Sequence, residues 1–123
     1  MFKVGILGSE NSHALAFAQL ANLPDPATGE YRYPDMRITA ICGCDDPPEH
    51  AAETARQGHI EQLVSDPTEL LDEVDAVMID YRDGKLHLRD VMSFIEKGLP
   101  VWIDKPITAS KDDRDTLRRA LEA

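Results

Sequence analysis

The chain of 123 residues has no apolar run long enough to span a membrane as a helix. Positive charge is scarce: 13 Lys and Arg face 23 Asp and Glu, for a net charge of -10. A nucleic-acid backbone or an anionic membrane needs a basic face, so neither is expected as a partner. A small nucleotide is not excluded, because a local cradle of backbone N–H groups can hold one on an acidic protein. Cysteine is nearly missing. Cys42 and Cys44 stand too close together for a typical disulfide framework. With His50 nearby they could be half of a metal site, but two small residues on one face of a strand end is the simpler reading, and no metal is expected. The short apolar run after Met1 is broken by glycine and is no signal peptide, so a cytoplasmic protein is expected. No repeat, low-complexity segment or internal linker divides the chain.

What is present is ordinary for a globular protein: 42% hydrophobic and 29% charged residues. This length holds one domain and one core, so residues 1–123 are expected to form a single unit. The stretch Lys3-Val-Gly-Ile-Leu-Gly-Ser-Glu-Asn-Ser-His-Ala-Leu-Ala-Phe17 organises it. Val4, Ile6 and Leu7 read as a buried strand, Gly8 begins a tight turn, and Ser12 can cap the helix that follows. Ala14, Phe17, Ala18 and Ala21 have the spacing of a packed helix face. A strand turning straight into a helix N-terminus directs free N–H groups and the helix dipole at one spot, which suits a phosphate. A plain β-α unit without a ligand is the alternative reading of the turn alone.

Further along, Leu23–Met36 carries three prolines and a glycine and reads as a surface connection; Tyr31 and Tyr33 could cover an apolar edge or a partner, but packing of the loop onto its own domain is the simpler reading. Arg37–Cys42 is the second strand. Asp46 is a candidate cap for the second helix, which has proline in its first turn and ends at Gly58. Ile60–Val64 is a short third strand, and Asp66 with Glu69 starts a brief helix. Asp75–Asp80 is a fourth, almost continuously apolar strand. The next helix places Leu88, Val91, Met92 and Ile95 on one face and stops at Gly98 and Pro100. Leu99–Asp104 is the fifth strand, and Ser110 caps a last helix whose Leu117, Ala120 and Leu121 face inward. Strands alternating with helices through short connections specify right-handed crossovers and a parallel α/β sheet.

In such a sheet ligands bind beyond the carboxyl ends of the strands. The residues there are Ser9–His13, Gly43–Asp46, Asp80–Lys85 and Asp104–Pro106. Lys105, directly after a buried strand and fixed by Pro106, can present a cation to the crevice and tune proton transfer. A surface Lys-Pro turn is the alternative from spacing alone.

Taken in order, Val4-Gly-Ile-Leu-Gly8, Ala40-Ile-Cys42, Val74-Asp-Ala-Val77, His87, Glu96-Lys-Gly98 and Val101-Trp-Ile-Asp-Lys-Pro-Ile-Thr108 resemble the Gfo/Idh/MocA family. These are NAD(P)-dependent oxidoreductases of sugars, inositols and related polyols. The resemblance covers almost the whole chain, and its most specific part is Asp104-Lys105-Pro106, similar to the family's Glu-Lys-Pro motif. It implies a Rossmann-like, doubly wound parallel sheet of about five strands. It also implies NAD or NADP as cofactor and hydride transfer at a hydroxyl of a sugar, polyol or amino sugar. Lys105 would be the catalytic residue, contacting the nicotinamide ribose and the substrate hydroxyl. The cofactor would meet Gly8, Ser9, Glu10, Asn11, Ser12 and His13 in the first turn, and Gly43 and Asp45 after the second strand. It would further meet Asp80 and His87 around the fourth strand, and Asp104 and Pro106 after the fifth. His87 has an alternative role in bonding the loop before its helix.

The chain departs from the family pattern at defined places. Glu10 and His13 stand at the second and third glycines of G-x-G-x-x-G, and Gly43 stands where an acid commonly meets the adenosine ribose, with Asp45 and Asp46 just beyond. The family's second α/β domain, which supplies the substrate pocket, has no counterpart in these residues. An excised domain, a fragment and a stand-alone remnant are all consistent with that. A non-catalytic module that binds another ligand or a partner is the alternative function, and a flavodoxin-like mononucleotide domain is a third. A homo-oligomer is left open.

Overall fold

The computed structural model describes the chain apart from residues 10, 11, 45, 82 to 84, 105 to 107 and 109, and the side chains at 85, 86 and 88. Its order is β1 (Phe2–Leu7), α1 (Ser12–Asn22), β2 (Met36–Cys42), α2 (Pro48–Gln57), β3 (Gln62–Val64), a 3-10 turn (Pro67–Leu70), β4 (Ala76–Ile79), α3 (Lys85–Lys97), β5 (Val101–Ile103) and α4 (Lys111–Glu122). The five strands form one parallel sheet in the order β3-β2-β1-β4-β5. This is the doubly wound α/β sheet expected from the sequence. Strand order reverses beside β1, whose last four residues are buried.

Alternation along β1 divides the core. Val4 and Ile6 pack with Ala14, Ala18 and Ala21 of α1, while Leu7 packs with Val91 and Phe94 of α3 and Leu117 of α4. The α1 face uses small residues, which let the helix lie close to the sheet. The register between β1 and β2 shifts at Val4 and Gly5, which pair with Ile38 and Ala40. Thr39 is therefore an extra residue in β2. One inserted residue reverses side-chain parity, so Ile38 and Ile41 both reach the α1 face.

Several local expectations shift. The buried positions of α3 are His87, Val91 and Phe94, with Met92 and Ile95 only half-buried; Leu88 lies outside the described side chains. Leu121 is 54% exposed rather than inward, because α4 meets the core through Leu117. The segment after Asp66 is a 3-10 turn, and Asp66 caps it by accepting from Thr68 N. Ser110 caps α4 as expected, accepting from Asp113 N at 3.1 Å. Tyr31 is exposed and lies under the Arg37 guanidinium, 3.5 Å from the ring centre. Among the described residues no helix is long and apolar enough to cross a membrane.

Candidate cofactor site

β1 delivers the chain to Gly8 at the point of strand reversal. Gly8 has φ 97°, and a Cβ there would stand 2.8 Å from Tyr81 Cδ1 and 3.1 Å from Tyr81 N. Glycine is required twice over, by the left-handed backbone and by the closeness of the residue after β4. The Gly8 N–H donates to Cys42 O at 2.8 Å, which ties this turn to the end of β2.

The next N–H, that of Ser9, donates to Asp46 Oδ2 at 2.5 Å, and the Ser9 hydroxyl donates to the same oxygen at 3.1 Å. This corrects the expected helix cap. Asp46 accepts from the turn after β1, while Pro47 occupies the N-cap position of α2 with no side-chain cap bond. Proline at N1 removes one of the N–H groups that a helix start leaves unpaired, so fewer donors there need a partner. Gly43 shapes the same corner: a Cβ there would stand 2.9 Å from Ala51 Cβ and 3.7 Å from Ser9 Oγ. Its observed contribution is close packing of α2 against the strand end. Beside it opens a cavity of about 510 Å³, lined by Gly43, Asp46, Leu63, Ser65 and Glu69.

On the other side of β1, Asp80 follows β4 and is wholly buried. Neither of its carboxyl oxygens has a hydrogen-bond partner among the described residues. Asp104 follows β5, 5% exposed, and accepts a 2.5 Å bond from His13 Nδ1–H in the first turn of α1. The residue at the third-glycine position thus reaches across to the end of β5. Burial, then the Asp104 charge, pushes the Asp80 carboxyl up to about 7, while His13 pulls it down. Desolvation dominates, since a buried carboxylate without hydrogen bonds is far costlier than the neutral acid.

His87 is fully buried and donates from Nε2 to Tyr81 O at 2.9 Å, a bond across the loop before α3. Tyr81 donates its hydroxyl to Asp90 Oδ2 at 2.6 Å and stacks on His87. Ser12 is exposed and is the first residue of α1 rather than its cap. The structure therefore brings Gly8, Ser9, Gly43 and Asp46 to one corner, and His13, Asp80 and Asp104 to another. Glu10, Asn11, Asp45, Lys105 and Pro106 lie outside the described residues. The cap reading of Asp46 missed its bonds to Ser9; its place just past the second strand, beside the position where a ribose acid is sought, was the available signal. No group of three metal-ligating side chains occurs among the described residues.

These residues fit the adenosine half of a dinucleotide. The glycine of the turn is kept where a Cβ would clash, an acid lines a cavity beyond β2, and that cavity has room for a nucleoside.

No curated protein matches the chain. Among solved structures, an Agrobacterium radiobacter oxidoreductase in complex with NAD+, L-tartaric acid and magnesium is 22% identical, with a TM-score of 0.74, over 98% of this chain and 32% of its own. Scyllo-inositol dehydrogenase from Lactobacillus casei, with bound NAD(H) and scyllo-inositol, is 18% identical, with a TM-score of 0.73, over 99% of this chain and 33% of its own. UDP-N-acetylglucosamine 3-dehydrogenase from Acidithiobacillus ferrooxidans is 21% identical, with a TM-score of 0.71, over 98% of this chain and 33% of its own. These likenesses establish the fold, and the chain spans about a third of each structure. The profile of the Gfo/Idh/MocA oxidoreductase family, NAD-binding Rossmann fold, matches residues 2–123, and the chain belongs to that family.

Proposed function

We propose that residues 1–123 form the cofactor-binding part of a dehydrogenase that oxidises a hydroxyl of a sugar, polyol or amino sugar, with NAD in preference to NADP. The observation that carries the reading is the Gly8 turn with Asp46 beside it, at the reversal of strand order. Asp46 would accept from the ribose hydroxyls of the adenosine. Asp46 and Glu69 line the cavity there, and no Lys or Arg does so among the described residues. A ribose with free hydroxyls suits that wall; a 2′-phosphate would meet like charge. When bound, the nicotinamide supplies the hydride acceptor. Lys105 is assigned to hold the reacting hydroxyl and take part in its proton transfer, on the strength of the Asp104-Lys105-Pro106 match. The sugar-related substrates of the inositol and UDP-N-acetylglucosamine dehydrogenases support the substrate class.

Amide chemical shifts test the binding site: NADH should move the signals of Gly8, Ser9 and Gly43 and leave those of α4 in place. In a longer protein that holds this segment and turns over substrate, Lys105→Ala should lower kcat by about 10²–10⁴-fold, the usual worth of a positioned acid–base group. Unmoved amides would remove the binding site, and an unchanged rate would return Lys105 to a surface turn.

One observation favours a second reading. The Ser9 N–H, a natural phosphate donor, already donates to Asp46. A module that closes its phosphate turn with an internal carboxylate would hold a neutral ligand or a protein partner, and would bind no dinucleotide.

A further inference from the structure

The cysteines sit together in an arrangement that the cofactor reading does not use. Cys42 ends β2 and is fully buried; Cys44, two residues on, is half-buried and lines the 510 Å³ cavity. Side chains at i and i+2 leave an extended chain on one side, and here the Cys44 thiol donates to Cys42 Sγ across 2.9 Å. Both thiols are free. The backbone at Cys44 is left-handed, φ 57°. Glycine or asparagine takes that conformation more cheaply, so the turn by itself gives no reason for cysteine.

We propose that Cys42 and Cys44 form a reversible dithiol–disulfide site, oxidised by a low-molecular-weight disulfide that enters through the cavity. An S–S bond of about 2.05 Å needs the sulfurs to close by less than about 1 Å from their present separation. Chemistry starts at Cys44, the accessible partner, although its bond to Cys42 and its burial both raise its thiol. Cys44 gives its proton to solvent and its sulfur attacks one sulfur of R–S–S–R. A Cys44–S–S–R bond forms, the external S–S bond breaks, and R–S⁻ departs and takes up a proton. Cys42 then gives up its proton, attacks Cys44 Sγ and expels the second R–S⁻, which is protonated in turn. Two protein sulfurs are oxidised to one disulfide, and the external disulfide is reduced to two thiols. The entry path is the cavity assigned above to the adenosine, so the test is run without added dinucleotide.

The test is incubation with excess oxidised glutathione, followed by alkylation of remaining thiols and intact-mass measurement. The wild-type chain should lose two hydrogens, take up no alkyl group, and recover both alkylation sites after reduction. Cys44→Ser, which keeps the buried Cys42, should never show that loss. Because the decisive measurement is on the wild-type chain, a misfolded variant would not blunt it. Two alkylatable thiols after oxidation, a stable glutathione adduct in place of the internal bond, or a disulfide between two chains would each overturn the proposal.

Discussion

The two corners of the sheet's carboxyl edge satisfy their carboxylates differently. Beyond β2, Asp46 accepts from both the N–H and the hydroxyl of Ser9. Beyond β4, Asp80 is wholly buried, with no hydrogen bond to either oxygen among the described residues. The first acid closes a turn through the bonds it accepts. The second is held neutral by burial, and costs stability whenever it must ionise. The same strand order built both corners, so the difference lies in side-chain partners and not in topology.

The largest effect expected from this contrast is on the pH dependence of stability. The Asp80 carboxyl rises from 3.8 to about 7 in the native state. Between those pH values the unfolded chain has released this proton and the native chain keeps it. Stability therefore falls as pH rises through the window, by on the order of 4 kcal/mol in total, and the loss is complete above about pH 7. Asp80→Asn should remove this dependence and leave the protein more stable than wild type at pH 8 by urea unfolding. A variant less stable than wild type there would mean that the carboxylate has partners in the native state.

Next in size is the turn that both corners share. Gly8→Ala adds a Cβ in a left-handed backbone against Tyr81, which should cost about 2–4 kcal/mol as the sum of backbone strain and overpacking. Gly98→Ala is the control, since Gly98 has φ 86° but nothing within 4 Å of the added atom. It should cost only the backbone part, about 1–2 kcal/mol. Equal losses would mean that Tyr81 yields and the turn is loosely packed.

Asp46→Ala removes a charged acceptor from Ser9, worth about 1.5–3 kcal/mol in a partly buried setting. Denaturant unfolding reads this directly, and a neutral outcome would make the bond to Ser9 incidental. The smallest effects are shifts in the Asp80 titration, followed by carboxyl carbon resonances. Asp104→Asn should lower its midpoint by removing a like charge, and His13→Gln should raise it by removing a favourable one. Shifts in the same direction would break the account of the β4–β5 corner.

How far the molecule could be read in advance follows the range of its interactions. The buried strands were legible because parallel strands leave near-continuous apolar runs, as in Asp75–Asp80. The Ser110 cap was legible because its partner, Asp113 N, lies within the same turn. Asp46 was assigned to a cap by the same local logic, yet its partner Ser9 lies 37 residues away in sequence. The extra residue at Thr39 leaves no mark in composition; only pairing with β1 reveals it. Phe94 was missed because Leu88, Val91, Met92 and Ile95 also satisfy the helical period, rotated slightly from the face that the sheet selects. The family resemblance, and with it the Gly8 turn, rested on contiguous motifs, while the pairing of His13 with Asp104 joins residues 91 apart.

Calorimetry with NADH and NADPH, on wild type and Asp46→Ala, tests the central claim most directly: that the β2 corner holds a ribose through Asp46. The account predicts measurable NADH binding, weaker NADPH binding, and a preference that narrows in the variant. Equal affinity of the wild-type chain for both cofactors, or a preference unchanged by loss of the carboxylate, would contradict it.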